Sequence, residues 1–358
     1  MRIGPPSDLV ARPLRWRPVV RSWLGGALLG DIPVLSGRVT WTVDSQVQGS
    51  LQMTVGAGRE GEWIPGTATD HPLARFGQRL EVMIVTETVD RLRAWTTPVG
   101  TFQIEDWSLS DAGIVSVTAK SMLQRWSTEA FATPVSTGGS LSAMAWRLVP
   151  TGGGLVISPA LTDRNVSSFD IGDSRIDALG DLASAWPCRV REDTAGNVLL
   201  LPPLDSAGGP VVTLRDGEGG TVVSALPEDS RAGSFNQVIA RSTENRDDSD
   251  QPRFQAVATQ QTGPMAAERY GVVSKTWASP LVTTQGAAQA SAQTMLTNSL
   301  TRAQTVPVRG APRPDLELDD VVLVESRDLG RVLGVIRGVD LPLTPGDGEA
   351  RWDVGVMG

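Results

Sequence analysis

One histidine is the side chain in this sequence with the most obvious catalytic chemistry. His71 follows Asp70, and a distant serine could complete a Ser/His/Asp triad in which the imidazole takes the hydroxyl proton. No G-x-S-x-G nucleophile elbow follows a predicted strand. His71 also precedes a proline, a position that favours extended loop backbone. We therefore expect His71 to be a loop residue and not a general base.

Two acidic dipeptides could supply the carboxylate pair of a glycoside hydrolase. They are Glu105 with Asp106, and Asp319 with Asp320. Adjacent residues on a strand point to opposite faces, so neither dipeptide can itself flank one glycosidic bond. A pair drawn from distant carboxylates stays open, but we expect these residues to be solvated charges at turns.

The sequence contains one cysteine, Cys188, which excludes an intrachain disulfide. One cysteine and one histidine also give no internal set of soft ligands for zinc, haem or an iron–sulfur cluster. Cys188 follows Pro187 at the start of a predicted strand, where we expect it to be buried. A reactive thiol would need a cation such as Arg189 facing it.

Two glycine runs, 152–154 and 217–220, resemble phosphate-binding loops only in composition. Neither run carries G-K-[ST] or G-x-G-x-x-G between a strand and a helix, so both are predicted to be turns. We therefore expect no catalytic residue, no cofactor-binding residue and no metal ligand in this chain.

The chain has 11 tryptophans, which could form a platform for stacking sugars. Four of them lie within apolar patterns and are predicted to be core or interface residues: Trp41, Trp107, Trp126 and Trp186. Three lie in less periodic stretches, which leaves a contact role open: Trp16, Trp23 and Trp63.

The composition indicates a soluble protein of two to four domains. The chain has 358 residues, 40% of them apolar and 20% charged, and its 38 glycines and 24 prolines favour short strands joined by turns. The net charge of −8 argues against a surface that binds nucleic acid. We expect no signal peptide at the first residues and no stable membrane anchor.

Alternation of apolar and polar residues predicts the elements that position these side chains. Residues 36–56 are predicted to form a hairpin, with Val39, Trp41 and Val43 facing inward and the polar turn 45–49 at a rim. At least five strands are expected in the first 120 residues, which suggests a small barrel or sandwich.

Farther along the chain, three stretches have apolar residues at helical spacing. Helices are predicted at 140–148 with Ser140 as N-cap, at 174–186 with Ser174 as N-cap, and from Thr283 onward. The last has Ala288, Ala292, Met295, Leu296 and Ser299 on its buried side. A hairpin is predicted at 188–202, a charged loop at 241–253, and three strands over 316–357.

The order of three stretches resembles a known family. They are WLGGALLGDIPVLSGRVTWTVDSQVQGSLQMTV, HPLARFGQRLEVMI and TPVGTFQIEDWSLSDAGIVSVTAKSML, and they are similar to the N-terminal domain of minor tail proteins from siphophages of actinobacteria. Later elements, including FNQVIARS, ERYGVV and LELDDVVLV, look like the rest of a baseplate-hub or tail-associated protein. Lys120 stands where the family would have an aspartate.

The resemblance implies a fold that is mainly β with α+β insertions, in a multi-domain tail-hub architecture with a β-barrel at each end. The four domains implied are 1–128, an N-terminal β-barrel; 129–206, α+β; 207–305, a second α+β or β domain; and 306–358, barrel-like strands.

It also implies a non-enzymatic structural subunit of the tail tip, assembled in the host cytoplasm and located in the virion. The implied partners are two more copies of itself in a homotrimer, the distal tail protein, the tape measure protein, and downstream tail-tip or fibre proteins. Three alternatives remain: a distal tail ring protein, a tail-associated cell-wall hydrolase, and a carbohydrate-binding tip module. Hydrolase domains are expected as C-terminal extensions, for which we expect no room after residue 350.

Overall fold

The computed structural model describes residues 1–132, 135–204, 209–226, 228–229, 234–243 and 251–357. Most of its regular structure is strand, as expected for a mainly β fold with α+β insertions. The charged loop predicted at 241–253 falls largely outside the described residues, because 244–250 are not among them. Within the described part of the chain, no helix combines the length and apolar character needed to span a membrane.

The first part of the chain forms seven strands in which every pairing is antiparallel. The short helix α1 (Ser7–Val10) precedes them and α2 (Leu123–Thr128) follows them. The strands are β1 (Leu14–Leu24), β2 (Ala27–Ile32), β3 (Val34–Thr42), β4 (Gly49–Gly56), β5 (Arg79–Thr88), β6 (Ala94–Leu109) and β7 (Ile114–Ser121).

The hairpin predicted over residues 36–56 is confirmed, since β3 pairs with β4 and places Val39 opposite Leu51. Val39 and Trp41 are buried as predicted. Val43 lies beyond the end of β3 and is only half-buried, so its predicted place in the core is wrong. The period of two fails there because the strand has already ended.

Trp41 fits into a slot that depends on two glycines. A Cβ on Gly49 or on Gly100 would lie 2.7 Å from a carbon of the indole ring. The Phe102 ring packs beside the indole with its centroid 5.5 Å away. Glycine is therefore required on both sides of the indole because any larger residue would overlap it.

Seven further strands from the second half of the chain join the same sheet. They are β13 (Val212–Arg215), β14 (Val222–Ala225), β15 (Glu228–Asp229), β19 (Gln304–Gly310), β20 (Val321–Ser326), β21 (Gly330–Pro342) and β22 (Ala350–Val356). We call the resulting sheet of 14 strands in the described residues the terminal sheet.

The two halves of the terminal sheet meet where β21 pairs with β3. Val339 lies opposite Trp41, and the Arg38 Nε donates to Asp340 Oδ1 at 2.7 Å across the seam. The apolar side chains of both halves belong to one continuous core. The two halves of the terminal sheet therefore share a single hydrophobic core.

The barrel expected at each end is not confirmed. Among the described strands the order is open, β14-β19-β22-β21-β3-β4-β7-β6-β5-β1-β2, with β13, β15 and β20 as side branches. Two long strands change neighbours along their length: β6 pairs first with β5 and then with β7, and β21 pairs first with β20 and then with β3. Bulges after Ile104 and Ile336 accompany these changes, since an extra residue bends a strand.

The first inner module comprises residues 135–201. Its elements are β8 (Val135–Ser140), α3 (Leu141–Leu148), β9 (Gly154–Ile157), β10 (Asn165–Ile171), α4 (Arg175–Ala185), β11 (Arg189–Glu192) and β12 (Asn197–Leu201). Both predicted N-caps are confirmed: Ser140 accepts the Ala143 N–H, and Ser174 accepts the Asp177 N–H. The hairpin predicted at 188–202 is β11 paired with β12, and β9 adds a parallel third strand.

The second inner module comprises the described residues between 234 and 303. Its elements are β16 (Gln237–Ser242), β17 (Gln255–Thr259), α5 (Ala267–Tyr270), β18 (Ser274–Ser279) and α6 (Gln285–Ala303). The helix predicted from Thr283 is α6, capped by Thr284. Its buried side contains Ala288, Ala292, Leu296 and Ser299 as predicted, while Met295 is only partly buried.

The turn that follows β3 is tied to the first inner module. The Gln48 side chain is buried and its Nε2 donates to the Val190 carbonyl at 2.9 Å. The Gln46 Nε2 donates to Asp177 at 2.7 Å. The predicted rim is therefore, in part, a contact inside this chain.

Candidate interaction surfaces

His71 organises its own loop. Its Nδ1 accepts the Leu73 N–H at 3.0 Å, and its Nε2 lies 2.9 Å from the Glu62 carbonyl oxygen. Because a carbonyl only accepts, Nε2 must carry the proton. Both ring nitrogens thus bind backbone groups, and neither contacts a serine hydroxyl among the residues that the structure describes.

Asp319 and Asp320 point to different partners. Asp319 binds two guanidinium groups, those of Arg189 and Arg191. Asp320 accepts the ammonium group of Met1 at 2.7 Å. The two carboxylates therefore serve two separate ion pairs.

Glu105 and Asp106 lie at the bulge in β6. Asp106 is exposed and pairs with Thr118 on β7, while Glu105 is the extra residue of the bulge and accepts a long bond of 3.5 Å from Gln124. The dipeptide thus lies where β6 bends, with its two residues in unlike surroundings.

The glycine runs are turns and the cysteine is enclosed. Gly152, Gly217 and Gly219 adopt positive φ, which glycine tolerates best. Cys188 is buried, and burial raises the pKa of its thiol to about 12. Within the described part of the chain, no group of three or more histidine, cysteine, aspartate or glutamate side chains could hold a metal ion.

Most of the singled-out tryptophans pack against hydrophobic cores. Three are buried, namely Trp41, Trp126 and Trp186. Three are half-buried against the core of the terminal sheet, namely Trp16, Trp63 and Trp107. Trp23 differs because it lines an open groove at the tip of the β1–β2 hairpin.

A cleft of about 370 Å³ lies where the terminal sheet meets both inner modules. Arg191 forms a two-pronged pair with Asp319, at 2.6 and 2.7 Å, and Arg189 binds the same carboxylate. Lys275 of the second module lies 5.2 Å from the centre of the Phe235 ring, and Arg337 of the terminal sheet also lines the cleft. The residue types could attract an anion, but Arg189 and Arg191 already bind Asp319 and thereby tie the first inner module to the terminal sheet.

Glu192 forms a second tie between the first inner module and the terminal sheet. Its carboxylate accepts the N–H groups of Met122 at 2.8 Å and Leu123 at 3.0 Å, at the start of α2. Burial raises the pKa of Glu192 to about 7 in spite of these hydrogen bonds, which oppose the rise. Nothing in the local sequence distinguishes it, since a strand glutamate is usually solvated.

The terminal sheet has two edges with exposed apolar side chains. Among the described strands, β2 pairs only with β1 and β14 pairs only with β19. Leu28 on β2 is 50% exposed and Val223 on β14 is 66% exposed. Unpaired backbone groups along an apolar edge favour pairing with another chain. These edges, at opposite ends of the strand order, are the best candidates for contacts with other subunits.

No protein-family model matches the sequence, and no curated protein matches it. Solved structures do match its fold. A tail protein from Neisseria meningitidis MC58 has a TM-score of 0.67 at 15% identity, covering 95% of this chain and 97% of that one. The 43 kDa tail protein of prophage MuSo2 from Shewanella oneidensis has a TM-score of 0.64 at 14% identity, covering 94% and 98%.

The chain has the fold of these tail proteins. The prophage tail protein gp18 from Listeria monocytogenes EGD-e adds a further match, with a TM-score of 0.57 at 11% identity and 94% coverage of each chain. Each match spans nearly the whole of both chains. The arrangement of terminal sheet and inner modules is thus a recurring architecture that very different sequences adopt.

Proposed function

We propose that the protein is a structural component of a bacteriophage tail, and more narrowly the baseplate-hub subunit at the tail tip of a siphophage. The likeness of fold to three tail proteins over 94–95% of this chain carries the proposal. The sequence stretches that resemble actinobacterial minor tail proteins support the narrower part.

In this proposal the protein assembles as a homotrimer. The segments 1–128 and 306–358 supply the strands of a ring together with β13 to β15, which lie beside them in the terminal sheet. The segment 129–206 and the rest of 207–305 surround the tail axis and narrow it. Three subunits that each present two similar β regions can match six copies of a hexameric distal tail protein. The exposed edges at β2 and β14 support such an assembly, because each offers unpaired backbone to a neighbour.

The further partners proposed are the tape measure protein and downstream tail-tip or fibre proteins, in a virion assembled in the host cytoplasm. The net charge of −8 suits a wall along which DNA passes, because it repels phosphates and limits sticking. A strongly basic channel in an image of the assembled tail would contradict this part.

Native mass spectrometry of the purified chain, alone and with the distal tail protein of the same phage, tests the assembly. A trimer that binds the distal tail protein supports the hub. A hexamer would instead identify a distal tail ring protein, and a monomer that cleaves cell-wall glycan would overturn both structural assignments.

Edge variants test which surface joins the copies. Val223→Lys and Leu28→Lys place a charge on an edge strand and should reduce the trimer fraction at a given concentration. Val272→Lys is the matched control, because Val272 is 58% exposed but lies outside the terminal sheet. A trimer that tolerates both edge variants but not the control would show that the copies meet elsewhere.

A further inference from the structure

A groove of about 610 Å³ lies at the tip of the β1–β2 hairpin, next to the turn between β11 and β12. Its wall includes Trp23, Arg79, Glu81 and Arg125, and the backbone of Gly25 beside them. Sites for small ligands commonly have a volume of roughly 300 to 1,000 Å³. The groove is therefore large enough to hold a short oligomer.

Two guanidinium groups converge beside this groove. Both lie close to Gly152: a Cβ added to this glycine would be 3.1 Å from Arg125 Nη1 and 3.9 Å from Arg79 Nη2. Arg125 Nε donates to Gln103 at 2.9 Å, which fixes that guanidinium in place. The Arg79 guanidinium has neither an ion pair nor a hydrogen bond within the described part of the chain.

The two positive charges lie close enough to repel each other. Burial lowers the pKa of Arg125, and the charge of Arg79 lowers it further, while the charge of Glu129 opposes the change. An anion placed between the two groups would relieve this repulsion. Guanidinium groups bind carboxylates and phosphates through paired hydrogen bonds, so such an anion would be held with defined geometry.

The residues next to Arg79 offer different chemistry, since Trp23 pairs with Arg79 across β1 and β5, and Glu81 lies two residues along β5. Trp23 is half-buried, and its Nε1 donates to Glu81 Oε2 at 3.1 Å, which fixes the indole. An indole provides an apolar surface, and Glu81 retains further capacity to accept hydrogen bonds. A ligand that matches this wall has an apolar face and hydroxyl donors, which is the character of a sugar ring.

We propose that this groove binds an anionic saccharide. Arg79 and Arg125 hold its carboxylate or phosphate, Trp23 contacts the apolar face of a sugar ring, and Glu81 accepts a hydroxyl. An acidic peptide fits less well, because it would bring carboxylates to Glu81 and has no hydroxyl-bearing ring for the indole. The inference does not depend on the proposed role in a tail.

Calorimetric titration of the full chain tests the proposal with four probes. Two are charged saccharides, tetragalacturonate and pentamannose phosphate, whose comparison separates carboxylate from phosphate. The third is methyl-esterified tetragalacturonate, which keeps the rings but lacks the charge, and the fourth is tetraglutamate. We expect binding of at least one charged saccharide, at least tenfold tighter than binding of the ester or of tetraglutamate.

Arg79→Gln should weaken that binding about tenfold, because it removes one fork of charge-assisted hydrogen bonds. Arg17→Gln is the matched control: Arg17 is exposed on the same face of β1, about 20 Å from Trp23 along the strand, and should change affinity less than about twofold. We expect Arg79→Gln to fold, since that guanidinium makes no hydrogen bond or ion pair within the described part of the chain. Trp23→Leu should weaken binding of the saccharide as well.

Three outcomes would overturn the proposal. The first is that neither charged saccharide binds. The second is an equal loss of affinity in Arg79→Gln and Arg17→Gln, which would show that overall charge alone attracts the ligand. The third is tetraglutamate binding as tightly as the saccharides, which would indicate an acidic protein partner.

Discussion

Replacing Glu192 with glutamine should remove a pH dependence from the stability of the protein. The folded chain raises the pKa of Glu192 from an ordinary 4.5 to about 7, mainly by burying its carboxylate against the start of α2. The folded state therefore holds this proton more tightly than the unfolded chain does. The resulting stabilisation is complete below about pH 4.5 and is lost as the pH rises through about 7.

The size of the effect follows from the two pKa values. Each tenfold change in a proton-binding constant corresponds to about 1.4 kcal/mol, so the full difference between a pKa of 4.5 and one of about 7 corresponds to about 3.4 kcal/mol. Between about pH 5 and about pH 8 most of this is lost, on the order of 2 to 3 kcal/mol. Asp193, the neighbouring carboxylate, adds to the rise in the pKa of Glu192, whereas the N–H groups of Met122 and Leu123 oppose it.

Urea unfolding at both pH values, for wild type and Glu192→Gln, measures the effect. The glutamine places an NH₂ group opposite a backbone N–H and should cost about 1 to 2 kcal/mol at either pH, so the change between pH values is the informative quantity. Glu60→Gln is the matched control, because Glu60 is exposed. If Glu192→Gln and wild type lose the same stability between the two pH values, the reasoning is refuted.

Three further outcomes follow from the contacts described. Gly100→Ala should lower the free energy of unfolding by about 1 to 3 kcal/mol, because the added Cβ overlaps Trp41. Gly286→Ala lies in the first turn of α6 with open space around it, and should raise the free energy of unfolding by up to about 1 kcal/mol. Urea unfolding measures both changes. Asp319→Asn removes the negative charge between two arginines, while asparagine still tolerates the φ of 72° at this position. We expect the free energy of unfolding to fall by about 2 kcal/mol in the same assay. An unchanged urea midpoint would contradict this expectation. Cys188 should resist a thiol reagent at about pH 8 until urea unfolds the chain, and rapid labelling of the folded protein would show that the thiol is accessible.

Local patterns in the sequence predicted the local elements well. Alternation over residues 36–56 identified β3 and β4, and serine followed by helical spacing located the starts of α3 and α4. These elements could be predicted because the residues that define them are neighbours in the chain. Val43 was placed wrongly because alternation does not reveal the residue at which a strand ends, and β3 ends at Thr42.

The arrangement of the sheet could not be predicted in this way. The pairing of β21 with β3 joins residues about 300 positions apart, and no periodicity within either strand names the other as its partner. The surroundings of Glu192 and the groove at the β1–β2 hairpin also could not be predicted, because they form between residues far apart in the sequence. Arg79 and Arg125 meet because Gln103 on β6 pairs with Arg79 on β5 and accepts a hydrogen bond from Arg125 on α2. Trp23 was set apart in the sequence only by its lack of apolar periodicity.

The seam between β3 and β21 also has a consequence for synthesis. The strands β1 to β7 leave the ribosome early, whereas residues 338–342, which pair with β3, are translated about 300 residues later. Until then the edge of β3 lacks its partner strand β21, and the Trp41 indole on β3 lacks Val339 opposite it. Both inner modules can meanwhile complete their own short-range contacts. The nascent chain is thus exposed to wrong strand pairing for most of its translation, and binding of a chaperone to β3 would be most useful during that interval.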